Sequence, residues 1–134
     1  MWLNVCLAIA QVTIGIMTSD RPERDRIDIT YAKRQMVYAK YTGEYKETYC
    51  DWLILVDRVD VGICDADTLV WRHASYSIAD KNNVFHFSET PQNWGNTQNY
   101  QFYKVTDAER KFFISKITEN GFKYVRVLNK LVPR

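Results

Sequence analysis

The sequence predicts an α+β fold, a mainly antiparallel sheet of about five to seven strands with a C-terminal helix packed on one face. Three observations carry that expectation. A capped helix signal ends the chain, a run of short aromatic and β-branched segments fills its middle, and the hydrophobic fraction of 46% suffices for a continuous core.

The helix is the clearest element. Thr106 and Glu109 stand three apart, the spacing at which each side chain satisfies the other's orphan backbone N–H. Ala108, Phe112, Phe113 and Ile117 follow as an apolar stripe at three- and four-residue intervals. Gly121 supplies the left-handed stop, with Phe122 placed to pack back on Ile117. A strand over Lys123–Leu128 is expected next, its Arg126 facing outward.

Upstream, Tyr49–Val56, Val59–Ile63, Thr68–Ile78 and Val84–Ser88 read as strands of an antiparallel meander. Asp57-Arg58, Asp65-Ala66-Asp67 and Asp80-Lys81-Asn82-Asn83 read as the turns between them. Tyr100–Val105 is a further strand leading into the helix. The segment Ile27–Tyr41 mixes helix formers (Ala, Lys, Arg, Gln, Met) with Ile, Thr and Tyr, and the balance leans to a second helix there. Thr18–Arg26 and Ser88–Asn99 are polar, hold Pro22 and Pro91, and read as loops. Trp94, in the middle of the second loop, either folds onto the core or is offered to a partner.

At 134 residues the chain fits one domain, taken as 1–130. The closing LVPR (131–134) matches a thrombin recognition sequence and is set aside as an expression remnant. The first 17 residues lack the positive start of a signal peptide and are too short and polar for a membrane span. They read as a buried strand or helix. Three dispersed cysteines, Cys6, Cys50 and Cys64, do not form a secreted disulfide framework, so a reduced cytoplasmic protein is expected.

Charge is unevenly spread: the balance is +2 over residues 1–46, −5 over 47–103 and +5 over 104–134. A dipolar chain of this kind can offer different faces to different partners, although charged runs are also ordinary solvated surface. Tyr31, Arg34, Tyr38, Tyr41 and Tyr45 interleave aromatic rings with cations, and Arg110, Lys111, Lys116 and Arg126 can share a basic C-terminal face. Together with Trp94 these are the candidate partner-binding residues. Cations paired with Tyr also suit single-stranded nucleic acid, where they neutralise phosphate and stack on bases. Glu23, Asp25 and Asp28 dilute the first patch, and the pI of about 8.4 is below that of a dedicated nucleic-acid binder.

Catalytic signals are sparse. His73 and His86 fall on adjacent expected strands; brought together, they could serve as acid and base of a metal-independent ribonuclease, with Tyr76 or Lys81 nearby. Otherwise they are two separate histidines making ordinary hydrogen bonds. Cys50, Cys64, His73 and His86 are zinc-ligand types without knuckle spacing, so no metal is expected. Asp57/Asp60 and Asp65/Asp67 are better read as turn formers than as acid–base dyads. No phosphate-binding glycine loop, nucleophile elbow or zinc-protease helix is present, and no cofactor is expected.

The C-terminal stretch KVTDAERKFFISKITENGFKYVRVLNKLV resembles the tail of small accessory proteins of phages and bacterial mobile elements. The shared pattern is a Thr-capped helix of the form T-x-x-E-R-x-x-F-x-x-K-I followed by Gly-Phe; it covers under a quarter of the chain. The Trp usual after the Gly-Phe step is replaced, Tyr124 standing nearest. The pattern holds no catalytic residue. What the resemblance implies is a small non-enzymatic binding protein that engages a host protein or protein–RNA complex, such as an anti-CRISPR-like inhibitor of a defence nuclease.

Overall fold

The computed structural model describes residues 21–63, 66–79, 83–94 and 97–134. The expected element at 1–17, Cys6, Cys64 and most of the 80–83 turn lie outside the described residues. Among the described residues, eight strands and one α-helix run in the order β1 (Arg26–Ile27), β2 (Gln35–Tyr41), β3 (Asp51–Ile63), β4 (Ala66–Ile78), β5 (Val84–Trp94), β6 (Tyr100–Lys104), α1 (Asp107–Glu119), β7 (Phe122–Val125) and β8 (Lys130–Pro133). Six strands form one antiparallel sheet, ordered β1-β6-β2-β3-β4-β5, and β7 pairs with β8 as a separate hairpin. The α+β class and the antiparallel run β3-β4-β5 are as expected from sequence.

Helix α1 begins where its signals place it. The Thr106 hydroxyl accepts from the Glu109 N–H at 3.1 Å, and the Glu109 carboxylate accepts from the Thr106 N–H at 2.8 Å. The buried stripe is Glu109, Phe113 and Ile117, one residue per turn, with Phe112 half-buried beside it. Gly121 takes φ +91° and donates to the Thr118 carbonyl at 3.0 Å, closing the last turn. The stripe meets Met36, Tyr38, Leu53, Leu55, Ala74, Tyr76, Tyr103 and Leu131 in one core cluster, against which Phe122 also packs.

The opposite face of the sheet carries a second core of Val37, Ala39, Tyr41, Ile54, Val56, Leu69, Tyr100 and Phe102, with Trp52, Trp71 and Trp94 packed against it. Trp94 in β5 lies 4.5 Å from the Tyr100 ring and 6.0 Å from the Phe102 ring of β6, measured between centroids. Three strands separate β5 from β6 in the sheet, so these contacts require it to curl strongly toward this side. Register irregularities in the long strands β3 and β4 supply the bending.

Five expectations are corrected. Ile27–Tyr41 is not a helix: a short 3-10 turn at Ile29–Tyr31 precedes strand β2. The strand lies inside the sheet with both faces buried, so Met36, Val37, Tyr38 and Ala39 form an unbroken apolar run instead of an alternating one. Asp57-Arg58 does not end a strand but lies within a bulged stretch of β3. Ser88–Asn99 is mostly strand: β5 runs through Trp94, its polar side chains and Pro91 tolerated because β5 is an edge strand. Finally, residues 123–128 do not form one strand, and Leu131–Pro133 belongs to the fold. After β7 a 3-10 turn at Arg126–Leu128 reverses the chain into β8, where Leu131 is buried.

Candidate functional site

Three strands lose regular register at the same level of the sheet. In β3 two of the three shifts fall between Ile54 and Arg58; in β4 and β5 one falls between Trp71 and His73. Across that last step Trp71 pairs with Gln92 and His73 with Ser88, so Glu89, Thr90 and Pro91 stand opposite Arg72 alone. The Arg72 Nε donates to the Glu89 carbonyl at 2.7 Å and ties the bulge down. Bulges break ladder hydrogen bonds and re-aim side chains, and they gather at functional sites.

The carbonyls released in β3 are satisfied from outside the sheet. The Arg34 N–H donates to the Asp57 carbonyl at 3.3 Å, and the Asn129 amide donates to the Val56 carbonyl at 3.2 Å. Asn129 is itself held by the Tyr124 hydroxyl at 2.8 Å, so the β7-β8 hairpin is pinned onto the bulged stretch. Between hairpin and sheet lies a cleft of about 450 Å³. Arg34, Asp57, Arg72, His73, Glu89 and Lys130 supply its polar lining, and Phe87, Phe122, Leu128 and Leu131 supply apolar lining. Phe87 and Phe122 stack at 4.3 Å across the seam.

Among the described residues, the non-glycine positions with positive φ are Arg34 (47°), His73 (75°) and Asn129 (48°). All three line this cleft. Such conformations cost roughly 1 kcal/mol or more in L-residues and gather where the surroundings enforce them. Burial, with help from Arg72, pushes the His73 imidazole below its ordinary pKa, and its Nδ1 is buried without a hydrogen-bond partner.

A stability consequence follows. Asn tolerates the left-handed region and does not titrate, so His73→Asn is expected to raise stability by about 0.5 kcal/mol near pH 8. A depressed imidazole pKa means that the unfolded chain binds the proton more readily. The wild-type protein therefore loses stability as pH falls through the ordinary imidazole range, and the advantage of His73→Asn widens. Urea denaturation of both proteins at about pH 8 and about pH 5 reads this; an advantage that stays constant or shrinks at the lower pH would count against it.

The residues singled out from sequence scatter. Tyr38 and Tyr41 are 0% and 6% exposed, so neither is available to a partner. Alternation in β2 sends Tyr38 to the helix side and Tyr41 to the aromatic side. The Tyr38 hydroxyl donates to Asp51 at 2.6 Å. Tyr31 and Tyr45 are exposed, but they flank a seven-residue strand, about 23 Å long at ~3.3 Å per residue. Trp94 is half-buried in the aromatic cluster. Lys111 and Arg126 are exposed, Arg110 is half-buried, and Lys116 pairs with Glu119 at 3.2 Å.

His73 and His86 do not form a dyad. His86 pairs in register with Ser75 and rests its ring 5.3 Å from that of Trp52, in the aromatic region opposite the helix. His73 opens into the cleft, where Arg72, Lys130, Asp57 and Glu89 influence it. Cys50 is a free thiol whose pKa burial raises, and among the described residues no three His, Cys, Asp or Glu side chains converge as a metal site.

The chain matches no family model, no curated protein and no solved structure.

The cleft must therefore be read from its own chemistry. Of its lining residues, only Arg34 stood out from sequence as a basic group of interest, with His73 as a candidate base. Arg72, Phe87, Glu89 and Asn129 were missed, because each falls in a segment with an ordinary strand or turn reading. One signal was available: Asn129 interrupts the apolar Val127-Leu128 and Leu131-Val132 pairs, a place for a residue that tolerates the left-handed region.

Proposed function

We propose that this is a small binding protein whose contact surface is the cleft and its outer lip. The observation that carries the reading is the convergence of Arg34, His73 and Asn129, in left-handed conformations, on a cleft built over register shifts in three strands. Next to it the Arg126–Leu128 turn holds Val127 94% exposed and Leu128 49% exposed, with Phe87 39% exposed across the cleft. Large apolar side chains held outward beside a concave surface favour a protein partner. The role we propose is non-enzymatic and cytoplasmic, an inhibitor acting on a host protein or protein–RNA complex, as the C-terminal resemblance implies. No described helix is long and apolar enough to cross a membrane.

A second reading, binding of single-stranded nucleic acid, is favoured by the cations Arg34, Arg72 and Lys130 in the cleft wall. Capture from bacterial lysate, with and without nuclease, separates the two. A protein that survives nuclease and whose capture falls at least ~tenfold with Val127→Asp or Leu128→Asp supports the first reading. RNA alone, released at moderate salt and indifferent to those substitutions, would overturn it in favour of the second.

A further inference from the structure

The cleft has a polar side and an apolar side, and together they describe a ligand. On the polar side, the Asp57 carboxylate is already engaged by the Arg58 guanidinium at 3.0 Å, and Arg72 is steadied through its Nε on the Glu89 carbonyl. Arg34 and Lys130 make no ion pair with any described residue, and His73 adds a buried Nδ1 without a partner. Set against the one remaining carboxylate of the lining, Glu89, these groups leave net positive charge and hydrogen-bonding capacity unused at one place. On the apolar side, the Phe87–Phe122 stack and Leu128 line the cleft, and the exposed Val127 precedes Leu128 in the turn at its lip.

We propose that the cleft receives an acidic–apolar peptide segment of the partner. One Asp or Glu carboxylate sits among Arg34, Arg72 and Lys130, and neighbouring apolar side chains lie on Phe87, Leu128 and Val127. This inference rests on the binding reading above and names the chemistry that the same surface takes. Guanidinium forks match a carboxylate in two-point geometry, and the volume of about 450 Å³ suits a few side chains rather than a folded element. A nucleic-acid strand fits less well. Its phosphates repeat along the backbone and would meet Asp57 and Glu89, which line the same cleft, whereas a single acidic side chain places its charge at one point.

The test uses the full chain, labelled with ¹⁵N, and blocked peptides of about six residues holding one Glu between Leu and Phe. Counterparts carry Gln or phosphoserine in place of Glu, and an oligouridine of similar length is run in parallel. The expected result is that the Glu peptide shifts amides of Arg34, His73, Phe87 and Leu128 and binds at least ~tenfold more tightly than the Gln peptide. Arg34→Gln, at an exposed site, and Lys130→Gln, at a half-buried one, are expected to abolish that preference while leaving the urea midpoint unchanged. Equal binding of the Glu and Gln peptides, shifts confined to other surfaces, or tighter binding of the phosphoserine peptide or oligouridine would each overturn the proposal. If a protein partner is nevertheless lost with Val127→Asp, the binding reading stands and only the acidic–apolar assignment falls.

Discussion

Replacing Glu109 with Ala is expected to destabilise the protein by about 3–5 kcal/mol, the range found when one member of a buried ion pair is removed. Glu109 is 0% exposed and faces the Arg21 guanidinium, whose side chain is 6% exposed. Two further contacts seat Arg21: its Cζ lies 3.8 Å from the centre of the Tyr38 ring, and its Nη1 donates to the Lys104 carbonyl at 3.1 Å. Burial lowers the Arg21 pKa, yet a guanidinium keeps its proton in proteins, so loss of Glu109 leaves an uncompensated charge at the helix–sheet interface. The capping box is lost as well, but Thr106→Ala, which removes only the hydroxyl side of the cap, is expected to cost just ~1 kcal/mol. Glu109→Gln keeps an oxygen for the Thr106 N–H while removing the charge, and so separates the two contributions. Urea denaturation of the three variants and of the double mutant Arg21→Met/Glu109→Leu measures the coupling. The double mutant is expected to regain most of the lost stability, since apolar replacement of a buried pair is often neutral or better. A cost under ~1 kcal/mol for Glu109→Ala would mean that Arg21 is not seated there.

That pair also marks the limit of what could be read in advance. Thr106, Glu109 and Gly121 announce α1 because capping and helix termination are settled within a few residues. The same residues give no hint that Glu109 is fully buried, because its partner lies 88 positions earlier in the chain. Strand β2 shows the converse. Its central place in the sheet buries both faces, and the alternation that identifies a half-exposed strand disappears. At the edge, the second half of β5 fails to register as a strand for the opposite reason: Ser88 to Asn93 is polar throughout and carries Pro91.

The cleft was less legible still. Its lining comes from separate stretches, residue 34, residues 56–57, 72–73, 87–89 and 122–133, and the alignment of register shifts assembles them. A bulge in one strand is a matter of pairing with its neighbour, which no local composition encodes. His73 illustrates the cost. Its residue type suggested chemistry with His86, yet what distinguishes it is a left-handed backbone and a cleft shared with Arg72 and Lys130.

Trp94→Ala is expected to cost about 3 kcal/mol of folding stability, the low end for loss of a large aromatic side chain, because Trp94 is only half-buried. Its ring contacts Trp52 at 6.2 Å as well as Tyr100 and Phe102, so it bridges β3, β5 and β6 across the curl of the sheet. Removing it leaves β5 paired with β4 and touching β3 through His86 and Trp52, with its ring contacts to β6 gone, and hydrogen exchange in β5 is expected to accelerate more than in β3. Trp94→Phe retains an aromatic surface for Tyr100 and should lose less than half as much. The substitution also separates the two roles that a Trp in a polar segment suggests. Trp94 lies in the aromatic cluster and is not among the residues that line the cleft, so Trp94→Phe should leave cleft-dependent binding unchanged. Loss of partner binding in Trp94→Phe, with its urea midpoint intact, would move the contact surface from the cleft to the aromatic face. Loss of stability without loss of binding makes Trp94 the residue that keeps the curled sheet closed.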